Sequence, residues 1–341
     1  MERWQQTGSN NCYTYVEGIG FPPPTEQQQQ INKIKSFSNK IGAGTVLILL
    51  LSMILPFIFM LILQIQNPNI STEQLSESWV FTIANALLSA VVLILPFTFV
   101  WKTCKAPFKV VFPVSSKDIK LIIPACAVGL GVSVIGGFIS ALLSAFFSIF
   151  GTTPIMGDFS IPTNAAAAVI FIIELVVIVP ITEEFVFRGV IMGVLRQFGD
   201  YFAIGVSALL FALLHRNMVQ FPNAFIMGLI LGYFVIRTGS IWTGIIIHGV
   251  NNAVAIGITA LMTIFTEHNM ALSLSVYGLM LSAGLIGFFY FWIRQESKIV
   301  FKDRAVSLTV RQKLFSFFTA PMQVTAVILM VLSILSNFTS I

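Results

Sequence analysis

Residues 164–196 read "NAAAAVIFIIELVVIVPITEEFVFRGVIMGVLR". The run is long and apolar enough to cross a bilayer, which takes about 20 predominantly apolar residues, yet it contains Glu183, Glu184 and Arg188. A charged side chain of this kind costs roughly 2.5–3.5 kcal/mol at the bilayer centre on insertion scales. We therefore expect these three side chains to face protein or water inside a bundle of membrane helices.

The composition of the whole chain also indicates a membrane-embedded fold. Of 341 residues, 56% are hydrophobic and 10% are charged, whereas soluble domains carry about 25% charged residues. The net charge of +5 is explained by basic loops that face anionic lipid, so nucleic acid is excluded as a partner and the lipid bilayer is the expected surroundings. The three cysteines are too few and too irregularly spaced to predict a disulfide framework or a cysteine metal site.

Hydrophobic segments of sufficient length predict an all-α, polytopic membrane protein. The candidate spans are 41–66, 79–101, 119–150, 164–196, 201–216, 221–237, 240–264, 271–293 and 321–339. The fifth segment is short and the sixth begins after Pro222, which is typical of helices that pack against protein more than lipid. Pro180 is expected to kink the fourth segment just before the acidic pair.

Three regions are predicted along the chain. Residues 1–40, which include "FPPPTEQQQQ", are polar and rich in proline and glutamine, and we expect a disordered cytoplasmic tail. Residues 41–293 form the transmembrane core, with the polar motifs confined to 164–264. Residues 294–341 are predicted to be a basic juxtamembrane segment followed by a final transmembrane helix.

The distribution of basic residues between the loops predicts the orientation. Lysines precede the first span and surround the loop 102–120, whereas the intervening loop 67–78 holds Glu73 and Glu77 without any lysine or arginine. This alternation satisfies the positive-inside rule with a cytoplasmic N-terminus. We therefore predict a multi-pass protein of the cell membrane.

The spacing of the charged residues in the fourth span suggests different roles. Glu184 and Arg188 are four residues apart, so on a helix they share a face and can form an ion pair that supports the structure. Adjacent helical residues diverge by about 100°, so Glu183 points elsewhere. Glu183 is therefore the candidate general base, able to take a proton from water.

Two of the three histidines also lie in hydrophobic segments. His215 ends the stretch "FALLH", and His248 begins "HGVNN", in which Asn252 follows four residues later on the same helical face. With a rise of about 1.5 Å per residue, these side chains and Glu183 lie between roughly 12 and 24 Å from the cytoplasmic ends of their helices. Three helices can therefore bring a carboxylate, two imidazoles and an amide to one level.

This set of groups predicts hydrolytic chemistry. Glu183 and His215 could orient and deprotonate a water molecule, while His248 and Asn252 could donate hydrogen bonds to an oxyanion. No serine or cysteine pairs plausibly with a histidine, so a covalent acyl-enzyme is not expected. A zinc ion held by the glutamate and two histidines is an alternative by ligand type, although "HExxH" is absent.

Together, "EEFVFRG", "FALLH" and "HGVNN" resemble the signature of the CPBP (Abi) family of intramembrane proteases, which includes the type II CAAX prenyl endopeptidases. The family pattern is EExxxR, then FxxxH, then HxxxN. The matching residues here are Glu183, Glu184 and Arg188, then Phe211 and His215, then His248 and Asn252.

The resemblance implies an eight-helix core around a water-filled cavity, to which this chain adds a C-terminal helix. It implies that Glu183 and His215 activate the water and that His248 and Asn252 stabilise the oxyanion. The family is often labelled metallopeptidase, but all these roles are filled without a metal, so no cofactor is required and zinc is the alternative. The expected substrate is a peptide or the C-terminus of a lipidated protein, as in CAAX-box protein processing or bacteriocin-type peptide processing.

Two other functions are compatible with the sequence. Intramembrane acidic and histidine residues also build proton pathways, and Glu174 in the fourth span keeps a proton-coupled transporter open as an alternative. A non-catalytic protein that binds a peptide, such as a bacteriocin immunity protein, is the other.

Overall fold

The computed structural model describes residues 25–66, 68–69, 71, 74–75, 77–114, 119–154, 160–266, 269–294 and 308–340. The main helices are α1 (Glu26–Gln66), α2 (Trp79–Cys104), α3 (Ile122–Ile149), α4 (Ala165–Phe198), α5 (Asp200–Leu214), α6 (Gln220–Thr238), α7 (Ile241–Ile264), α8 (Asn269–Ile293), α9 (Val310–Phe318) and α10 (Pro321–Leu335). A single helical turn, Phe108–Val111, follows α2, and Ile119–Leu121 form a short 3₁₀ turn before α3. Two short strands, β1 (Thr152–Pro154) and β2 (Phe338–Ser340), pair antiparallel.

The described helices confirm the all-α, multi-pass fold. Seven of them are long and apolar enough to cross a membrane, and α9 with α10 would make an eighth if this bent pair is one span. Large apolar side chains such as Phe57, Phe99 and Leu279 are exposed on the outer surface of the bundle. The hydrocarbon core of a bilayer contains no water, so these apolar side chains can contact lipid without the cost of exposing apolar surface to water.

The fifth predicted span differs from the others in length. Helix α5 has 15 residues, which at about 1.5 Å per residue is shorter than a hydrocarbon core of roughly 30 Å. Most of its side chains are buried, including Asp200 and Ser207, and it packs against α4 and α6. It therefore lies inside the bundle and does not qualify as a separate span.

The final predicted span, 321–339, also ends early. Helix α10 has 15 residues and begins with Pro321 at its first position, where the missing N–H breaks no hydrogen bond. It is bent by 78° from α9. The chain then leaves the helix and enters β2, which pairs with β1 at the end of α3.

The prediction of a disordered tail over residues 1–40 is wrong for its second half. Residues 26–40 form the first turns of α1. Ile34 and Ser38 are fully buried, and the Ser38 hydroxyl donates a hydrogen bond to the backbone oxygen of Phe317 in α9 (2.6 Å). These contacts order a polar segment that has no reason to fold alone, while residues 1–24 lie outside the described residues.

Helix α4 carries the acidic pair and is irregular. Two stretches, Glu174–Ile178 and Phe185–Met192, are π-helical, with more residues per turn, and Val179–Glu184 between them is α-helical. Where the sequence predicted a kink at Pro180, the structure has a π-helical stretch, Glu174–Ile178, just before the proline. π-helical turns redirect side chains within a continuous helix and are frequent at functional sites.

Close helix contacts hold the bundle around α4. Helix α3 packs against α8 and α6, and α1 packs against α2, α9 and α10. At the α3–α8 crossing a Cβ atom on Gly131 would lie 2.7 Å from the Cα of Gly284. Only glycine permits this separation, which is how small residues bring membrane helices together.

Candidate active site

Glu184 and Arg188 form the ion pair that their spacing predicts. Arg188 Nη1 lies 3.0 Å from Glu184 Oε1, and both side chains are fully buried. Arg188 Nη2 donates a hydrogen bond to the backbone oxygen of Gly228 (3.3 Å), and its guanidinium carbon lies 4.6 Å from the ring centroid of Phe211. The arginine therefore compensates the charge of Glu184 and joins α4 to α5 and α6.

The other oxygen of Glu184 faces the backbone of α7. A Cβ atom on Gly244 would lie 2.6 Å from Glu184 Oε2. Within the described part of the chain, this oxygen has no hydrogen-bond partner. The absence of a side chain at Gly244 thus leaves the space that Glu184 occupies.

The His248 imidazole lies between the two adjacent glutamates. Its Nδ1 is 3.3 Å from Glu184 Oε1, and its Nε2 is 3.6 Å from Glu183 Oε2. An ionised carboxylate can only accept a hydrogen bond, so Nδ1 must carry the proton that it shares with Glu184. That contact sets the orientation of the ring and directs Nε2 towards Glu183.

His215 is held by its own helix. Its Nδ1 lies 2.8 Å from the backbone oxygen of Phe211, one turn earlier, so in the neutral tautomer Nδ1 donates and Nε2 is an acceptor. The Phe211 ring meets the His215 ring edge-on at 4.7 Å and the His248 ring at 5.8 Å. The phenylalanine of the FxxxH pattern therefore packs between the two histidines.

Asn252 connects α7 to the first wide turn of α4. Its Nδ2 donates a hydrogen bond to the backbone oxygen of Leu175 (2.9 Å). The amide nitrogen has a second hydrogen, and the side chain also lines the cavity described next. Asn252 is therefore fixed in direction and still able to donate once more.

The polar residues predicted from the sequence line one cavity. It has a volume of about 460 Å³, and its walls include Glu183, His215, His248 and Asn252. Glu183 keeps 18% of its side chain exposed and His248 keeps 7%. The first carboxylate of the pair thus faces the cavity, whereas the second is sealed in the ion pair.

Sequence reasoning missed further polar residues on the same wall. Gln220, Asn223 and Asn251 also line this cavity. Asn223 Oδ1 is buried, and the structure places no hydrogen-bond partner for it among the described residues. These three residues are amides in otherwise apolar helices, and that pattern could have identified them as candidates for the cavity wall.

A second cavity, of about 300 Å³, lies between α1, α2 and the end of α5. Glu183, Phe211 and His215 line it as well as the first. Glu174, the residue that favours an ion pathway, is buried but lines neither of these two cavities. The acidic side chain that both cavities share is therefore Glu183, the candidate base.

The described residues do not fit a zinc site. Nowhere in the described ranges do three His, Cys, Asp or Glu side chains gather in a way that could hold a metal ion. Glu184 is committed to Arg188, and Nδ1 of His248 is committed to Glu184. We therefore derive no step through a metal.

The comparison with known protein families gives one match that overlaps the site. The family model described as type II CAAX prenyl endopeptidase Rce1-like matches residues 165–254. The match begins at the start of α4 and ends within α7, so it includes every residue of the site described above. No curated protein and no solved structure matches the chain.

Proposed function

We propose that the chain belongs to the CPBP (Abi) family of intramembrane proteases, because the type II CAAX prenyl endopeptidase Rce1-like model matches residues 165–254, and that it is an endopeptidase that cleaves a peptide or a lipidated protein near its C-terminus. The observation that carries the proposal is the cavity lined by Glu183, His215, His248 and Asn252. These side chains come from three separate helices and include an acid, two imidazoles and an amide. Packing alone gives no reason for them to share one cavity.

The first step assigned to this site is activation of water. Glu183 lies between the two cavities and takes one proton from the water molecule. His215 accepts the other hydrogen of the water through Nε2, because its Nδ1 is occupied by the backbone oxygen of Phe211. The water oxygen then attacks the peptide carbonyl carbon, and the carbonyl oxygen becomes an oxyanion.

The second step is stabilisation of the oxyanion and release of the products. His248 Nε2, when protonated, and the second amide hydrogen of Asn252 donate hydrogen bonds to the oxyanion. Glu183 then returns its proton to the leaving amine as the carbon–nitrogen bond breaks. The products are one carboxylic acid and one amine, and Glu183 is ionised again.

Peptide hydrolysis by the purified protein tests the proposal. Peptides with a prenylated cysteine near the C-terminus, matched unlipidated peptides and a bacteriocin-type peptide would be incubated with protein in lipid nanodiscs and analysed by mass spectrometry. We expect one internal peptide bond to be cut in at least one class, and a Glu183→Gln protein to be slower by about 100-fold or more. Glu174→Gln is the matched control, because Glu174 lies in the same helix and lines neither cavity.

Two results would contradict the proposal. Equal cleavage by wild type and Glu183→Gln would remove Glu183 from the mechanism. Proton-coupled uptake in proteoliposomes without cleavage of any peptide class would favour transport instead.

The proposal includes the orientation of the chain in the cell membrane, with the start of α1 in the cytoplasm. It is supported by the excess of lysine and arginine in alternate loops. Single cysteines introduced at Glu26 and at Ser71, in a protein without its native cysteines, are expected to react with a membrane-impermeant reagent from opposite sides. Labelling of both from outside intact cells would contradict the orientation.

A further inference from the structure

Arg216 lines the second cavity next to His215 and, among the described residues, is the one arginine or lysine in its wall. It directly follows His215 at the end of α5 and is half-buried. The cavity brings it together with polar side chains of α1 and α2, Ser52, Asn85 and Ser89. A positive charge and several hydrogen-bonding groups therefore surround a space that also reaches Glu183.

The backbone at Arg216 is held in an unusual conformation. Its φ is +52°, a left-handed value that is unfavourable for a residue with a side chain. The Arg216 N–H donates to the backbone oxygen of Leu213 (3.0 Å), and its carbonyl accepts a hydrogen bond from Asn337 Nδ2 (2.8 Å). These two contacts fix the direction from which the side chain enters the cavity.

The guanidinium of Arg216 has no ionised partner in the described part of the chain. No carboxylate there lies within the 4.0 Å of an ion pair, and Arg216 Nη1 donates a long hydrogen bond to Ser52 Oγ (3.5 Å). Arg188, by comparison, has Glu184 at 3.0 Å. Among the described residues, the positive charge of Arg188 is therefore compensated by Glu184, whereas that of Arg216 has no carboxylate beside it.

The position of the cavity makes an uncompensated charge costly. Ser52 and Pro56 lie in the middle of the apolar part of α1, and Asn85 and Ser89 lie within the first half of α2. Arg216 is therefore level with the interior of the bundle. An intramembrane charge at such a place indicates a function and calls for a partner.

We propose that Arg216 anchors the free terminal carboxylate of the peptide substrate in the second cavity. This inference rests on the proposed endopeptidase function. Both cavities share Glu183, Phe211 and His215, so a chain that passes from the first cavity into the second crosses the candidate base. The carboxylate-bearing end lies in the second cavity and the remainder of the substrate in the first.

The proposal also predicts where the substrate is cut. The second cavity has about 300 Å³, and an extended chain advances about 3.3–3.6 Å per residue. A cavity of this size accommodates only a few residues between the scissile bond and Arg216.

The role of Arg216 can be tested by peptide binding alone, with two peptides that differ only at the C-terminus. One peptide sequence with an N-terminal fluorophore would be prepared with a C-terminal carboxylate and with a C-terminal amide. Binding to Glu183→Gln protein in nanodiscs would be measured by fluorescence anisotropy. Because hydrogen bonds to charged groups contribute about 1.5–3 kcal/mol, we expect the acid to bind about ten- to a hundredfold more tightly than the amide.

Variants of the protein test whether Arg216 causes the preference for the C-terminal acid over the amide. Adding Arg216→Gln should make the acid and the amide bind equally, and Arg216→Lys should restore part of the preference because it keeps the charge. Arg311→Gln, which removes an exposed arginine of α9, should leave the preference unchanged. Ser52→Asp keeps Arg216 but supplies an internal carboxylate beside it, so it should also abolish the preference if Arg216→Gln fails to fold.

The outcomes separate this inference from the proposed function. Equal binding of acid and amide by the Arg216-containing protein, or a preference that survives Arg216→Gln, would overturn the anchor even if wild type cleaves peptides. A preference that depends on Arg216, with no cleavage by wild type, would support the anion site and refute the endopeptidase. Equal binding together with a phospholipid that native mass spectrometry finds on wild type and not on Arg216→Gln would assign the guanidinium to a lipid phosphate and overturn the carboxylate assignment.

Discussion

His248 Nδ1 lies 3.3 Å from Glu184 Oε1, although the two residues are 64 positions apart in the chain. The contact joins α7 to α4 and sets the direction in which the imidazole faces. It also distinguishes the two adjacent glutamates: Glu184 is completely buried and paired, whereas Glu183 is partly exposed on the cavity. Glu184 is therefore the structural carboxylate, and Glu183 is the candidate reactive one.

Removal of the Glu184 carboxylate should destabilise the protein more than removal of the Glu183 carboxylate. Glu184→Gln leaves Arg188 buried without its counter-ion, and breaking a buried pair in this way costs about 3–5 kcal/mol. Glu183→Gln leaves no such charge, so its melting temperature should stay near that of wild type. Thermal unfolding in one detergent compares the two variants, and the double variant Glu184→Gln/Arg188→Met should recover part of the loss.

A melting temperature for Glu184→Gln equal to that of wild type would contradict this prediction. It would mean that water, or a rearranged side chain, replaces Glu184 as the partner of Arg188.

Enlarging Gly244 should disturb the site through Glu184. The Cβ of Gly244→Ala would lie 2.6 Å from Glu184 Oε2, so the carboxylate or α7 must move, and overpacking of this kind costs about 1–3 kcal/mol. We expect a lower melting temperature and a lower kcat, because His248 loses its orientation. Gly257→Ala is the matched control on the same helix, since nothing lies within 4 Å of its added Cβ. Equal losses of melting temperature and kcat in the two variants would contradict the prediction.

Asn252 should act in the chemical step. Loss of one oxyanion donor typically lowers kcat by about 100- to 1,000-fold, and we expect a loss of that order for Asn252→Ala with a small change in KM. Asn251→Ala removes the neighbouring amide of the same cavity and should affect kcat much less. A fall in melting temperature without a fall in kcat would instead limit Asn252 to its hydrogen bond with Leu175.

Glu77 should make stability depend on acid pH. Hydrogen bonds from the backbone N–H of Asn164, from the Thr163 hydroxyl and from the Thr163 N–H lower the pKa of Glu77 below its ordinary value of 4.5. Because the folded pKa is the lower one, the stabilisation is complete above about pH 4.5 and is lost as the pH falls through the folded pKa. Melting temperatures measured between pH 3 and pH 7 should therefore show a smaller acid-side decrease in Glu77→Gln than in wild type.

Parallel pH profiles for wild type and Glu77→Gln would contradict this assignment. Thr163→Val removes one donor to the same carboxylate and should give an intermediate profile.

Local relationships within one helix could be predicted from the sequence. The Glu184–Arg188 pair follows from a spacing of four residues, and the membrane helices follow from the length and apolarity of each run. The helical start of α1 could not be predicted, because the polar residues 26–40 become ordered through contacts with α9, which lies almost 300 positions later in the chain. The two π-helical turns of α4 likewise have no signal in hydropathy.

Hydropathy and the positions of charged residues along the chain are enough to predict a bundle of membrane helices with charged groups inside it, and the polar motifs resemble those of one protease family. The reason is that a bilayer imposes length and polarity on each segment separately, so a single segment carries the information. Which groups meet depends on tertiary packing, which places His248 between two glutamates, Phe211 between two histidines, and Arg216 in a second cavity with no counter-ion among the described residues. These contacts depend on how separate helices pack, and no spacing along the chain encodes them.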